Sequence, residues 1–525
     1  MASDLGINVP TGKDSLSMKQ KYGDGQTVLA PGTVIVSAAA NVTQIRKAIT
    51  PVLQPHEHST LIYINFSGGE LDLGGSSFAQ ILGTLGNKAP DVDDLDHFKR
   101  AFTAVQDLIH QDLILAGHDI GSGGLITSLL EMTFTQRNVG LELNLSGLAD
   151  DPVKVMFSEN PGVIIQVSDA AKGKEVMGKH NLIFQEIGTI TTRDQVEITI
   201  GEESWSLSVD HHRKLWFETS FRMDQQQCAG DLAQKRFVNY IKQPLQYNFN
   251  PQFTGSYQSL QLMPLGHETR VCKAAIIREK GVNGDREMAY SLFLAGFEVK
   301  DVHMTDLVTG RETLEDVHFI VFVGGFSNSD VLGSAKGWAG AFLYNLQARQ
   351  VLDNFYRRRD TLSLGVCNGC QLMMELGIIY PRHREHPKMS HNDSGKFEST
   401  FLNITIPMNQ SVMFSSLAGS RLGIWVAHGE GKFNFPLERD RYHVAAYYSY
   451  GDYPGNPNGS DHNIAAVASH DGRHLAIMPH LERSIFPWQW AHQEEYQKQH
   501  QVTPWIEAFV NARNWVSRHL QKAAP

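Results

Sequence analysis

The stretch that decides the fold is Thr361-Leu362-Ser363-Leu364-Gly365-Val366-Cys367-Asn368-Gly369-Cys370-Gln371, followed by Leu372-Met373-Met374-Glu375-Leu376-Gly377. An apolar run typical of a strand presents one cysteine and passes at once into a helical pattern. This layout predicts a nucleophile elbow, in which a sharp turn holds the reactive atom clear of the backbone. The following helix N-terminus favours a thiolate. The alternative is that Cys367 is a buried small hydrophobe.

A second motif can supply the base that a cysteine nucleophile needs. The run Leu475-Ala476-Ile477-Met478 reads as a strand, Pro479 ends it, and His480 and Glu482 follow. A histidine can take the thiol proton, and a carboxylate can fix the orientation of the ring. Taken in isolation, the same pattern is that of a surface histidine beside a salt-bridging glutamate. Together with Cys367 it predicts a Cys-His-Glu site.

A pair of glycines forms the third element of the predicted site. The apolar run Phe319-Ile320-Val321-Phe322-Val323 leads into Gly324-Gly325-Phe326-Ser327. Glycines allow backbone N–H groups to approach a developing oxyanion closely. All three motifs follow predicted strands, and open α/β sheets build their sites at the carboxyl ends of strands. We therefore expect the three motifs to meet at one edge of a sheet.

These motifs resemble those of a class I glutamine amidotransferase domain, which has a flavodoxin-like open α/β sheet. Further segments resemble the C-terminal part of the large-type phosphoribosylformylglycinamidine synthases of purine biosynthesis. They are Arg278-Glu279-Lys280-Gly281-Val282-Asn283, His428-Gly429-Glu430-Gly431 and Asn456-Pro457-Asn458-Gly459-Ser460. The resemblance implies a ligase that transfers ammonia from glutamine to formylglycinamide ribonucleotide at the expense of ATP.

The resemblance also implies roles for individual residues. Cys367, His480 and Glu482 would hydrolyse glutamine. The backbone around Gly325 and Phe326, with the Asn368 N–H, would bind the oxyanion, and Gln371 would help to hold glutamine. The sequence departs from many relatives at Asn328-Ser329, where they have Tyr-Gly, so the glutamine contacts of this turn stay open.

Two loops in the N-terminal half are suited to anions. Gly12-Lys13-Asp14-Ser15 combines a cation with hydroxyl and carboxylate groups, and Gly121-Ser122-Gly123-Gly124 opens a predicted helix after His118-Asp119. Each is also explained as a tight turn without a ligand. Both resemble segments of the aminoimidazole ribonucleotide synthetase-like fold, which implies that Lys13, Asp14 and Ser15 bind substrate or nucleotide. Asp119 would bind the Mg²⁺ of ATP. Ser122 replaces an aspartate that is common in that family.

Length and composition agree with a multidomain α/β and α+β enzyme. The chain has 525 residues and a net charge of −10, without a basic block, which argues against general nucleic-acid binding. No apolar run is long enough for a membrane span. Four cysteines are too few for a disulfide framework, so we expect a cytoplasmic protein. Cys367-x-x-Cys370 also admits a redox pair or half a zinc site, and we rank both below amidotransfer. A zinc site needs a second ligand pair, which Cys228 and Cys272 do not supply, and a thioredoxin-like pair belongs near the start of a compact βαβ unit.

We expect four regions: a partial synthetase-like domain over residues 1–150, its C-terminal subdomain over 151–223, a linker over 224–269 and the amidotransferase domain over 270–525. Amphipathic helices are predicted over 98–110, 125–134 and 505–520, and a further helix over 215–223 is predicted to enter a polar connection over 224–227. Large-type synthases carry further domains before the region that this chain resembles. We therefore expect this chain to be a fragment, a truncated form or one subunit of a split enzyme, and in the last case the N-terminal portion would be a separate partner chain. Two alternatives stay open, a stand-alone glutaminase subunit and a non-catalytic remnant used for assembly.

Overall fold

The computed structural model describes residues 2–13, 18–29, 34–266 and 270–523. The chain forms two compact units, Met1–Glu218 and Thr219–Pro525. Among the described residues, no helix combines the length and the apolar character needed to cross a bilayer. The finer boundaries given above for the four regions stay predictions.

A seven-stranded sheet is the centre of the first unit. Its strand order is β4-β6-β3-β7-β5-β8-β9, and all neighbours are antiparallel except β5 and β8. In chain order the elements are α1 (Ala2–Leu5), β1 (Lys19–Lys21), β2 (Thr27–Leu29), β3 (Thr60–Asn65), α2 (Ser77–Ile81), α3 (Leu95–His110), β4 (Ile114–Asp119), α4 (Gly124–Phe134), β5 (Gly140–Asn144), α5 (Pro152–Phe157), β6 (Gly162–Val167), α6 (Ala170–Lys179), β7 (Gln185–Thr191), β8 (Gln195–Ile200), β9 (Glu203–Ser208) and α7 (Val209–Gln227).

Both faces of this sheet are covered, and strand β3 shows why. Leu61 and Tyr63 belong to the core that includes residues of α4, whereas Ile62 and Ile64 belong to the core that includes residues of α3 and α6. Successive side chains of a strand point to opposite faces, so a strand that is apolar throughout needs a partner layer on each side. The predicted α+β character of this half is confirmed.

A nine-stranded mixed sheet organises the second unit, in the order β11-β10-β12-β13-β20-β19-β18-β15-β16. The first five strands are parallel and the remaining pairings are antiparallel. In chain order the elements are α8 (Leu232–Asn239), β10 (Cys272–Arg278), α9 (Asp285–Ala295), β11 (Phe297–His303), α10 (Met304–Val308), β12 (Phe319–Phe322), α11 (Lys336–Tyr344), α12 (Leu346–Arg357), β13 (Leu362–Val366), α13 (Asn368–Glu375), β14 (Lys388–Ser390), β15 (Glu398–Thr405), β16 (Arg421–His428), β17 (Lys432–Asn434), β18 (His443–Tyr448), β19 (Ile464–Ala468), β20 (His474–Ile477) and α14 (Ile506–Ala523).

The central parallel strands β12, β13 and β20 are buried at every position. Parallel strands that are covered on both faces read as continuous apolar runs, which is how they appear in the sequence. Because the three strands are parallel, their carboxyl ends lie at one edge of the sheet. The glycine pair, Cys367 and His480 follow these ends, so the open α/β sheet predicted for this half is confirmed.

Two helices differ from the sequence-based prediction. Helix α7 continues through Asp224 to Gln227, where we expected a polar connection to begin. Asp224 forms ion pairs with Lys396 and with Arg236, the latter at 3.2 Å, and these contacts hold the end of the helix. Helix α4 was expected to be amphipathic, but eight of its eleven residues are buried because a second helix, α5, packs against it.

Candidate active site

Cys367 occupies the sharp turn between β13 and α13. Its backbone has φ +53° and ψ −109°, a conformation that side-chain-bearing residues avoid and that is maintained by the surrounding structure. The Cys367 N–H donates to the Ile477 carbonyl at 3.0 Å. The thiol is buried, and its Sγ lies 3.5 Å from the carbonyl oxygen of Ala427. This is the geometry of a nucleophile elbow.

His480 and Glu482 form a buried pair beside the cysteine. His480 Nδ1 lies 2.7 Å from Glu482 Oε1, and both side chains are almost fully buried. Burial alone disfavours a charged ring, but Glu482 and the Cys367 thiol together raise the pKa of His480 to about 10. His480 Nε2 makes no hydrogen bond of normal length within the described residues. The second ring nitrogen is therefore available for proton transfer.

Gly324 separates the cysteine from the histidine, a role that was not predicted. A Cβ at this position would lie 2.8 Å from His480 Cε1 and 3.3 Å from Cys367 Cβ. Any side chain here would push the thiol and the imidazole ring apart. The signal was present in the sequence as the first glycine of the Gly-Gly pair, but the prediction used only the second.

The predicted oxyanion donors are only partly available. Gly325 has φ +135° and approaches the backbone of Val282 closely, so it must be glycine, and its N–H donates no hydrogen bond within the described residues. The Phe326 N–H, which was expected to contribute, donates to the Gly281 carbonyl at 3.0 Å. Asn368 is the first residue of α13, where a helix N–H lacks an intrahelical acceptor. Gly325 and Asn368 are thus the available donors.

The side chains of Asn368 and Gln371 brace the wall of the site. Gln371 Nε2 donates to the Glu430 carbonyl at 2.7 Å, and Asn368 Nδ2 donates to Gln371 Oε1 at 2.9 Å and to Asp330 Oδ1 at 3.2 Å. The predicted residues therefore come together, and they lie with Asp330 and Glu430, which had no predicted role. The side-chain amides are already engaged, so they fix the position of neighbouring loops.

His428 is a further residue that the sequence-based prediction missed. It ends β16, its side chain is buried, and neither ring nitrogen has a hydrogen-bond partner within the described residues. Burial and the charge of His480 lower the pKa of His428 to about 3. The ring is therefore neutral and adds no second positive charge beside His480.

The glycine-rich turn at the start of α4, which was predicted to bind an anion, is occupied by a side chain of the protein. The Gly123 N–H at the start of α4 and the Ser77 N–H both donate to Glu159 Oε1, at 2.7 and 2.8 Å. A carboxylate of the chain itself therefore occupies the turn that was expected to bind an anion. Sequence offered no signal for this contact, since Glu159 is distant in the chain from both donors.

The other predicted residues of this unit are exposed or lie outside the described residues. Lys13 is exposed, and Asp14 and Ser15 fall in the part of the chain that the structure does not describe. The Asp119 side chain is 86% exposed at the end of β4, with His118 Nδ1 3.4 Å from its carboxylate. Among the described residues, no three side chains are grouped as metal ligands. A single exposed carboxylate fits a Mg²⁺ ion that is held mainly by phosphate oxygens and water.

Family models match three parts of the chain. Residues 271–516 match the CobB/CobQ-like glutamine amidotransferase domain, residues 61–201 match the C-terminal domain of AIR synthase related proteins, and residues 1–41 match the FGAR-AT PurM_N-like domain.

Curated relatives match the chain over nearly its whole length. The probable phosphoribosylformylglycinamidine synthase, chloroplastic/mitochondrial, of Arabidopsis thaliana is 38% identical over 98% of this chain and 38% of its own length. The human phosphoribosylformylglycinamidine synthase is 38% identical over 97% of this chain and 40% of its own length. A solved structure described as PurLQS from Thermotoga maritima is 24% identical, with a TM-score of 0.35, and covers 47% of this chain and 99% of its own. The chain spans about two fifths of the length of these curated relatives. Over nearly its whole length the chain is therefore similar to the large-type phosphoribosylformylglycinamidine synthases, and it matches the C-terminal portion that includes the glutamine amidotransferase domain.

Proposed function

We propose that this chain supplies the glutaminase, and part of the synthetase, of an ATP-dependent reaction that converts formylglycinamide ribonucleotide and glutamine to formylglycinamidine ribonucleotide and glutamate. The observation that carries this proposal is the elbow cysteine Cys367 beside the buried His480–Glu482 pair. The names of the curated relatives support the choice of substrate.

Glutamine hydrolysis proceeds through a covalent intermediate. The Cys367 thiolate attacks the side-chain amide carbon of glutamine, and the oxyanion accepts hydrogen bonds from the Gly325 and Asn368 N–H groups. His480 protonates the leaving nitrogen, and ammonia departs from a γ-glutamyl thioester. His480 then takes a proton from water, which attacks the thioester and releases glutamate. Glu482 keeps the imidazole ring oriented throughout.

The synthetase half would use the ammonia at a second site. Ammonia would pass within the protein to formylglycinamide ribonucleotide, whose amide oxygen is activated by ATP. Lys13, Asp14 and Ser15 would contact substrate or nucleotide, and Asp119 would hold Mg²⁺, which neutralises phosphate charge when it is bound. Because Glu159 fills the turn at the start of α4, that turn would not contribute to phosphate binding.

The free thiols support a choice of compartment. All four cysteines are free, so we place the chain in a reducing compartment such as the cytoplasm.

Glutamate release from glutamine tests the proposal. The chain is assayed alone and with the N-terminal portion of a large-type synthase, ATP and formylglycinamide ribonucleotide, and Cys367→Ala is the control. We expect release that requires Cys367 and that rises when the other components are added. Release that requires Cys367 but does not respond to them would favour a stand-alone glutaminase. No Cys367-dependent release under any of these conditions would favour a non-catalytic remnant.

A further inference from the structure

A cavity of about 840 Å³ lies at the edge of the second sheet opposite the cysteine. Its lining includes His474, the first residue of β20, and Tyr356 and Arg357 of α12, just before β13. Strand β13 runs away from this edge toward Cys367, and its five residues span about 17 Å. The cavity is therefore distinct from the glutamine site.

The charges around this cavity are mainly positive. Four arginines and two aspartates line it, an excess of two positive charges, in a chain whose net charge is −10. Arg473 is neutralised by Asp471, with Nε 2.7 Å from Oδ2. In contrast, the guanidinium groups of Arg357, Arg382 and Arg441 form no hydrogen bond or ion pair with any described residue. The other lining aspartate, Asp353, lies 4.0 Å from Arg349 Nε and forms no ion pair with these three arginines among the described residues. Within the described part of the chain, three unpaired cations therefore line one cavity.

Four histidines also line the cavity, and two of them, His383 and His474, are influenced by lining arginines. Burial and then Arg441 lower the pKa of His383, and burial and then Arg473 lower the pKa of His474 to about 3. The His383 ring stacks on Tyr380 with centroids 4.9 Å apart, and its buried Nδ1 has no partner among the described residues. The lining therefore offers neutral hydrogen-bonding groups and an aromatic surface beside the cations.

We propose that this cavity binds a small molecule that carries a phosphate group. A guanidinium presents a planar fork of N–H donors that matches phosphate oxygens, and a phosphate monoester has three terminal oxygens that can accept from several arginines at once. The cavity is larger than inorganic phosphate requires and lies in the range of small-molecule sites. The half-buried His383 ring, which stacks on the buried Tyr380, gives the lining an aromatic group for the sugar or ring of the ligand.

Calorimetric titration of the full chain in chloride buffer tests the proposal. The probes are inorganic phosphate, ribose 5-phosphate, AMP and, as an anion without phosphorus, citrate. The variant is the double substitution Arg382→Ala with Arg441→Ala, at two exposed arginines without partners among the described residues. Arg384→Ala is the matched control, because Arg384 is exposed on the same loop but lines a different cavity.

We expect saturable binding of at least one phosphate probe, tighter than that of citrate. Loss of a charge-assisted contact costs about tenfold in affinity, so the double variant should bind about a hundredfold more weakly, while Arg384→Ala binds like the unaltered chain. Cys367-dependent glutamate release should be unchanged in both variants. Binding of inorganic phosphate alone would assign the site to the free ion, and preference for ribose 5-phosphate or AMP would assign it to an organic phosphate. The proposal is overturned if no phosphate probe binds, if citrate binds more tightly, or if Arg384→Ala weakens binding as much as the double variant.

Discussion

The proton on His480 depends on its two neighbours, Glu482 and Cys367. The raised pKa of about 10 means that the ring is charged at neutral pH. The associated stabilisation of the folded state is fully present below the usual histidine pKa and is lost as the pH rises through about 10. The charge on the ring depends first on Glu482, so the acid–base state of the site is tied to this buried carboxylate.

Replacing Glu482 by glutamine should lower the pKa of His480, because a neutral amide no longer favours the charged ring. The alkaline limb of the pH profile of glutamate release should move down by about one to three pH units, and the maximal rate should fall at least about a hundredfold. The measurement is the rate of glutamate release between pH 6 and pH 10. Glu375→Gln, which removes an exposed carboxylate at the end of α13, is the control. An unchanged alkaline limb in Glu482→Gln would refute the assigned role.

A methyl group at Gly324 should disable the site without unfolding the protein. In Gly324→Ala the new Cβ would lie 2.8 Å from the His480 ring and would move it away from Cys367. Small displacements of reacting groups cost about a hundredfold in rate. In Gly340→Ala, the control, the nearest atom is Tyr344 Cδ2 at 3.8 Å. Steady-state kinetics and thermal unfolding of both variants test this, and full activity of Gly324→Ala would contradict the predicted geometry.

At the scale of elements, the position of helix α13 depends on Gly369. This glycine packs directly on strand β12, since a Cβ on it would lie 2.0 Å from the Phe322 carbonyl oxygen. The close approach of α13 to the strand brings its first N–H group to the same edge as the Gly-Gly pair.

Gly369→Ala should therefore destabilise the second unit. The Phe322 carbonyl oxygen belongs to the backbone and cannot rotate away from the new methyl group. We therefore expect the free energy of unfolding to fall by at least about 1–3 kcal/mol. Gly178→Ala, in α6, has no atom within 4 Å of the new methyl group and is the control. It should be neutral or stabilising by up to about 1 kcal/mol. Denaturant unfolding followed by circular dichroism measures both, and equal stability of the two variants would show that α13 can shift.

Much of the second unit was predictable at the scale of elements, because the signals lie in short, local stretches of sequence. The strands before Gly324, Cys367 and Pro479 are short apolar runs that end in residues with strong turn preferences, so their ends could be read from the sequence. The contacts that complete the site were not local. The Ala427 carbonyl near the thiol, the bond from Phe326 to Gly281 and the Glu159 carboxylate at the Gly123 turn join segments far apart in the chain. The hydrophobic periodicity of the sequence predicts local elements but gives no information about such long-range contacts.

At the scale of the whole molecule, the residues of the candidate glutaminase site all belong to one unit. Cys367, His480, Glu482 and the glycine pair lie in Thr219–Pro525, and the large hydrophobic core around them is built from described residues of this same unit. The family and its open α/β sheet were predictable because the motifs are specific. The antiparallel strands that extend the sheet were not, since the pairing of β15, β16, β18 and β19 depends on neighbours that the sequence does not specify.

A shorter chain of residues 209–525, which keeps all of α7, should therefore fold and retain the glutaminase chemistry. We expect a cooperative unfolding transition and alkylation of Cys367 at a rate within about threefold of that of the full chain, because no group of the site is removed. Far-ultraviolet circular dichroism and mass spectrometry of the alkylated protein provide the measurement. A soluble, folded fragment whose Cys367 is unreactive would show that the first unit is needed to complete the site.

The four thiols of this chain have unequal surroundings. Burial raises the pKa of Cys272 and that of Cys370, and Cys228 is buried against Tyr453, whereas Cys367 lies beside a charged imidazole. A slight excess of a mild alkylating reagent at neutral pH should consequently label one position. The stoichiometry of the tag then counts catalytically competent molecules in any preparation, an active-site titration that requires no cysteine to be removed by mutagenesis.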